Sequence, residues 1–203
     1  MKTYPTISTA IVSKPIYAFD KLDGSNIRTF WTRKGGFTKF GRRHALLDDS
    51  NPILKRSVDL FMNKYSESLQ KIFKDNRWST ATCFFEFFGP SSFAGVHLED
   101  EMQDVVLFDV SAEKRGMLEP REFIRTFGDL DIAKVLYHGN PTDEFVTSVR
   151  DGSLSGMTFE GVVCKGQYVS PGLPLMFKVK NEAWISRVKS LYVGDEKMIA
   201  QLL

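Results

Sequence analysis

The sequence predicts an α+β protein built from antiparallel sheets flanked by helices. Two observations carry that prediction. Strand-like runs crowd the middle of the chain, and the helical stretches fall between groups of strands instead of alternating with single ones, as a doubly wound sheet would require. The chain is also 203 residues long, 42% hydrophobic and 26% charged, enough to bury a core without covalent staples and too apolar for disorder.

Each element has its own signal. Residues 16–20 and 27–32 read as strands with the turn Asp23-Gly24 between them, and Trp31 to Phe40 as a hairpin about Gly35-Gly36. Asp48-Asp49-Ser50-Asn51-Pro52 is a helix start, and Ile53, Leu54, Val58, Phe61, Met62, Tyr65, Leu69, Ile72 and Phe73 follow at helical spacing. Thr80 to Phe88 and Val105 to Val110 are strands, each apolar except for one acid. Pro120 to Phe127 and Thr142 to Arg150 read as short helices, Met157 to Lys165 and Leu175 to Lys180 as strands, and Trp184, Val188 and Leu191 as the apolar stripe of a closing helix. No repeat or low-complexity linker interrupts them, so a single domain over 1–203 is expected.

Charge and composition narrow the function classes. The chain carries 27 basic and 25 acidic residues for a net +2, which excludes a bulk polycation. A nucleic-acid partner would have to meet a local patch. Residues 33–43 offer one: Arg33, Lys34, Lys39, Arg42 and Arg43, with no acid and with Phe37 and Phe40 interleaved. It reads either as a strip that grips a backbone and stacks bases or as an exposed basic hairpin. The two cysteines, Cys83 and Cys164, lie in apolar runs, and His44, His97 and His138 share no ligand spacing, which argues against a zinc site. The acidic run 98–104 reads as a solvated loop, and Met157 and Met176 as core filler. With no apolar leader and no stretch able to span a bilayer, the expectation is a soluble, cytoplasmic protein with no membrane partner.

The informative residues are charges inside apolar strands, where an unpaired charge is costly. Glu86 interrupts Phe84-Phe85-Glu86-Phe87-Phe88, Glu160 interrupts Met157 to Lys165, and Lys178 and Lys180 alternate with apolar residues in Leu175 to Lys180. Strand alternation puts Lys178 and Lys180 on one face and Glu160 on the face opposite Lys165, unless a bulge intervenes. Lys21-Leu22-Asp23-Gly24 follows a strand and places a lysine just before a tight turn.

In that order, these segments resemble the motifs of the covalent nucleotidyltransferases, the superfamily of polynucleotide ligases and messenger RNA capping enzymes. Lys21-Leu22-Asp23-Gly24 is similar to the nucleophile motif, Phe84 to Pro90 to the acid-bearing strand, and Val105 to Val110 to the adenine-stacking strand. Phe159 to Lys165 is similar to the metal-side strand, and Phe177 to Lys180 to the paired-lysine strand. Asn26, two residues after the motif glycine, and the segment Gly41-Arg42-Arg43-His44 resemble the RNA ligase 2 branch, whereas Asp23 is the choice typical of DNA ligases. Residues 181–203 are too few for the oligonucleotide-binding barrel that completes DNA ligases and capping enzymes, so the resemblance implies a nearly bare, ATP-grasp-like nucleotidyltransferase core and leaves room for a partner protein in place of a C-terminal domain.

The resemblance implies an ATP-dependent RNA ligase that joins 5′-phosphate and 3′-hydroxyl RNA ends, as in RNA repair, through a lysyl-AMP on Lys21. A minimal DNA nick ligase and a non-catalytic fold that binds nucleic acid are the alternatives. It implies ATP with magnesium (or manganese). The catalytic residues would be Lys21, Glu160, Lys178 and Lys180, with Glu160 on the metal side. The nucleotide would be held by Lys21, Asn26, Arg42 (with Arg43 as second choice), Glu86 at the ribose hydroxyls, Phe108 on the adenine face, and Lys165. Free lysine titrates at about 10.4, so an attacking amine needs nearby cations that disfavour its charge, and Lys165, Lys178 and Lys180 are of the right sign.

Overall fold

The computed structural model describes residues 1–43, 45–47, 52–90, 92 and 98–203; the helix start expected at 48–51, and His44 and His97, fall outside the described residues. In chain order the elements are β1 (Ile16–Asp20), β2 (Gly24–Thr32), β3 (Gly36–Arg42), α1 (Pro52–Asp75), β4 (Thr80–Phe88), β5 (Asp104–Ala112), β6 (Gly116–Met117), α2 (Pro120–Phe127), β7 (Val135–Gly139), α3 (Asp143–Arg150), β8 (Gly161–Ser170), β9 (Leu173–Lys180), α4 (Glu182–Leu191) and α5 (Glu196–Leu202). The strands form two antiparallel sheets, so the expected α+β class is the observed one. The chain divides into two compact units, one of Met1–Thr6, Gly24–Ile132 and Tyr168–Pro174, the other of Ile7–Asp23, Ala133–Gln167 and Leu175–Leu203.

The first unit is organised by the five-stranded sheet β3-β2-β4-β5-β6. Residues directly opposite on neighbouring strands share a face, so its two faces can be read from the register. Ile27, Thr29 and Trp31 of β2 stand opposite Phe85, Cys83 and Ala81 of β4. That face is covered by the apolar stripe of α1: Phe61 stacks on Phe85 at 4.6 Å between ring centroids, and Phe73 meets Trp31 edge-on at 5.0 Å. The helix ends where Arg77 takes a left-handed conformation (φ 57°) and the Trp78 amide donates to Phe73 O, closing the last turn. The other face carries Asn26 opposite Glu86 and Arg28 opposite Phe84, with Asp109 next along the same row. Gly24 stands where a Cβ would come within 2.3 Å of Phe87 O, so the glycine of the Lys-x-Asp-Gly segment lets β2 close on β4.

The second unit is built on the sheet β7-β1-β8-β9. Ile16, Ala18, Val162, Cys164, Phe177 and Val179 form one apolar face, packed with Phe145, Val146 and Val149 of α3. Alternation then places Tyr17 and Phe19 of β1, Lys165 of β8 and Lys178 and Lys180 of β9 on the opposite face. The helices are capped locally: Thr142 Oγ1 accepts from the Phe145 amide before α3, and Asn181 Oδ1 accepts from the Trp184 amide before α4.

Several expectations need correction. The strand expected over 157–165 begins at Gly161 and runs to Ser170. Before it, Thr158 donates from both its amide and its hydroxyl to Asp20 Oδ1, at 3.0 and 3.1 Å, which holds this stretch out of the ladder. Glu160 therefore precedes the strand, and counting faces from it fails. β2 starts at Gly24, three residues earlier than expected, and β7 and α5 lack the strong patterns that would announce them. Leu191 lies on α4, but it is exposed, so Trp184 and Val188 carry the packing. Phe37 and Phe40 are half-buried and both meet Phe61 of α1 edge-on, at 5.2 and 5.8 Å, so α1 takes part of the surface that a stacking strip would offer. The acidic run is only partly solvated, because Glu101 and Gln103 are buried and Asp104 pairs with Lys64 at 2.7 Å. Cys83 and Cys164 are buried with their thiols pushed up by burial, Cys164 to about 12, which leaves them unreactive. No helix of the described residues is long and apolar enough to cross a membrane.

Candidate active site

In the second unit, two of the predicted lysines converge on the carboxylate of a third predicted residue, Glu160. Lys21 lies just after β1, and its amide donates to Gly161 O at 2.9 Å, which brings the start of β8 alongside it. Gly161 has φ +134°, and a Cβ there would lie 2.2 Å from Val179 O, so only glycine permits β8 to begin at this point. The residue before it, Glu160, is fixed by its carbonyl, which accepts from the Asn181 amide at 3.0 Å. Its carboxylate is then shared: Oε2 accepts from Lys21 Nζ at 2.9 Å and Oε1 from Lys180 Nζ at 2.8 Å.

Burial makes this cluster an electrostatic device. Glu160 and Lys180 are 5% and 9% exposed. Besides Glu160, the Lys180 ammonium donates to Leu202 O at 2.5 Å and sits 3.9 Å from the ring centroid of Trp184. Burial brings Lys180 down to about 8; Glu160 opposes that fall, while the charges of Lys21 and Lys178 add to it. Lys165 is buried, with its ammonium 4.6 Å above the Phe19 ring. Lys21, Glu160 and Lys180 are thus in direct contact, and Lys165 and Lys178 share the sheet face of Lys180.

The remaining predicted residues belong to the first unit. Asn26 and Glu86 stand directly opposite on β2 and β4. Asn26 Oδ1 is buried with no hydrogen-bond partner among the described residues, an opening for a ligand. Phe108 occupies a break in the β4–β5 register: Phe84 pairs with Asp109 and Phe85 with Leu107, which leaves Phe108 as the extra residue of a bulge. Of the two candidate arginines, Arg42 is exposed at the end of β3, whereas Arg43 donates to Thr6 Oγ1 at 3.0 Å.

Three neighbours were not singled out as site residues from the sequence. Arg28 is buried and donates to Lys2 O, Thr3 Oγ1 and Arg42 O at 2.7, 2.8 and 3.0 Å, tying the N-terminal segment to the end of β3 beside Arg42. Tyr4 is buried and donates to Asp109 Oδ2 at 2.8 Å. The phenol of Tyr4 is held well above its ordinary value by burial, then by the Asp109 carboxylate, so it stays a donor. Asp109 alone carried a sequence signal, as an acid in an apolar strand. Among the described residues no group of three or more His, Cys, Asp or Glu side chains converges as metal ligands.

No protein-family model matches the chain, and no curated protein does. Solved structures do. A variant of Naegleria gruberi RNA ligase with ATP and manganese matches with a TM-score of 0.65 at 14% identity, over 93% of this chain and 58% of that one. The same ligase with pyrophosphate matches at 0.60 and 19% identity, over 88% and 52%, and a further variant with ATP and manganese at 0.59 and 17%, over 87% and 52%. The chain thus spans little more than half the length of these ligase chains, and at such identity the likeness is one of fold. The strand order, the two antiparallel sheets and this likeness give the chain the fold of these RNA ligase structures.

Proposed function

We propose that the chain is the adenylyltransferase core of an ATP-dependent RNA ligase of the RNA ligase 2 type, with Lys21 as its nucleophile. The observation that carries the reading is the shared carboxylate: a lysine after the first strand, paired with a buried acid that also binds a buried lysine of the last strand. A merely structural pair would not need a third, desolvated charge. The fold likeness to a ligase solved with ATP, with AMP and with pyrophosphate supports it.

In the first step Lys21 Nζ, having lost its proton, attacks the α-phosphorus of ATP. An N–P bond forms, the bond to the β-phosphate oxygen breaks, and pyrophosphate leaves with the electron pair. In the second, a 5′-phosphate oxygen attacks the same phosphorus and Lys21 departs, regaining a proton. In the third, a 3′-hydroxyl oxygen attacks the activated 5′-phosphorus, its proton passes to solvent, the bond from that phosphorus to the AMP oxygen breaks, and AMP leaves with the electron pair. Lys178 and Lys180 offset charge that develops on the α-phosphate, the dominant contribution in phosphoryl transfer. Lys165 adds to the cationic field on the same sheet face. Glu86 accepts from ribose hydroxyls, Phe108 covers the adenine, and Asn26 and Arg42 hold phosphate or the strand end.

A buried carboxylate outside any cluster of three or more His, Cys, Asp or Glu side chains among the described residues fits a magnesium or manganese ion carried largely by phosphate oxygens and water, and does not fit an all-protein cage. Glu160 would hold that ion, which when bound neutralises phosphate charge. Asp23 is the one motif position of DNA-ligase character, so the polynucleotide must be tested. The protein is incubated with each of the four nucleoside triphosphates, labelled at the α-phosphate, and the adduct is then chased with RNA ends or nicked DNA. The reading expects label from ATP alone and transfer to RNA ends. Transfer only to nicked DNA would make the chain a DNA ligase core, and no covalent label would make it a binding fold.

A further inference from the structure

In a regular strand, consecutive residues point to opposite faces, so one neighbour cannot touch two of them in succession. Tyr4 does so on β5. Its hydroxyl donates to Asp109 Oδ2 at 2.8 Å, and its ring meets Phe108 edge-on at 5.1 Å, with the planes at 90°. The bulge at Phe108 explains this, because the extra residue turns Phe108 toward the side that Asp109 already occupies. Tyr4 also meets Phe84, opposite Asp109 on β4, at 5.0 Å. The phenol therefore clamps the irregular point of the strand from one side, through one hydrogen bond and two ring contacts. The segment that delivers it is anchored separately, by Arg28 at Lys2 and Thr3.

We infer that Tyr4 is a positioning residue for the nucleotide base: by clamping the β5 bulge through Asp109 it sets the aim of Phe108, and it acts on ATP only through that ring. This rests on the proposed role of Phe108. The hydrogen bond fixes the backbone just after the bulge, and the edge-on ring contact limits the rotation of the Phe108 side chain. Phe84, which Tyr4 also meets, lies 6.5 Å from the Phe108 ring, so Tyr4 and Phe84 hold the bulged side chain together.

The test is a double-mutant cycle on lysyl-AMP formation, with Tyr4→Ala, Phe108→Ala and the double variant, measuring KM for ATP and the maximal rate separately. Tyr4→Ala alone is expected to raise KM about tenfold, the weight of one well-placed aromatic contact of about 1.4 kcal/mol, and to change the maximal rate less than twofold. In the Phe108→Ala background it should change KM less than twofold, because the ring it positions is gone. Tyr4→Phe keeps the ring and loses the donor, so it should give a smaller KM rise that also vanishes with Phe108→Ala; it carries the test if Tyr4→Ala does not fold. Equal KM rises in both backgrounds would overturn the inference and leave the role of Phe108 standing. An unchanged KM in Phe108→Ala itself would overturn that role and the inference with it. An absence of lysyl-AMP in the unaltered protein would overturn the proposed function first.

Discussion

Glu160 is the residue on which the second unit's charges depend. Its two oxygens serve Lys21 and Lys180, and the second of these partners is nearly as buried as Glu160 itself. Removing one partner of a buried pair leaves an uncompensated charge, at a cost of about 3 to 5 kcal/mol. Glu160→Ala is therefore expected to destabilise the protein by about that amount in urea unfolding. Lys21→Ala should cost clearly less, because Lys21 is 24% exposed at its side chain and leaves Glu160 still paired to Lys180. Equal losses would mean that the pair with Lys180 contributes nothing. For chemistry the order reverses. Lys178→Ala and Lys180→Ala should each slow lysyl-AMP formation by at least about a hundredfold, the loss expected for one preorganised charge donor; near-normal rates in both would reduce β9 to a wet strand. These residues were legible in the sequence because a charge in an apolar run is anomalous. Tyr4 and Arg28 were not, since a tyrosine near a chain end and an arginine in an alternating strand are ordinary, and the partner of Tyr4 lies 105 positions away.

At the scale of elements, hydrophobic period located the long helix and the central strands but not their ends. The stretch before β8 is apolar enough to read as strand, yet it is held by bonds that no local pattern announces, among them the two from Thr158 to Asp20, 138 positions apart. The β2–β3 hairpin was legible as a hairpin, while the use of its aromatics was not: Phe37 and Phe40 alternate with basic residues as a stacking strip would, yet both pack against α1. The charges of the strip are the part that a binding measurement can separate from this packing. Arg33 also reaches Lys74 O and Trp78 O at the end of α1, so Lys34 and Lys39, both exposed, are the residues to replace. Changing both to glutamine should weaken RNA binding and flatten its salt slope by about 1.4, or about 0.7 for each contact on a single strand. Lysyl-AMP formation should be unchanged. A slope that does not move would remove the hairpin from the polynucleotide track.

For the molecule as a whole, the order of five short segments from Lys21 to Lys180 anticipated a fold shared with ligase structures at 14–19% identity. At such identity the likeness is one of fold, and the segments stood out because charges interrupt apolar strands, an anomaly that the connecting elements lack. The donor set also makes a global prediction. Among the described residues no three His, Cys, Asp or Glu side chains converge as ligands, so a metal is expected to serve the chemistry and not the fold. Chelation should stop lysyl-AMP formation and leave the unfolding midpoint where it was; a lowered midpoint would reveal a structural metal. The central claim is that one lysine of one buried cluster carries the adenylyl group. Its most direct test is to incubate the protein with ATP and magnesium, digest it, and locate the adduct by mass spectrometry. An adenylyl group on Lys21, absent from Lys21→Ala, is the predicted result, and an adduct on any other residue, or one that persists in Lys21→Ala, would contradict it.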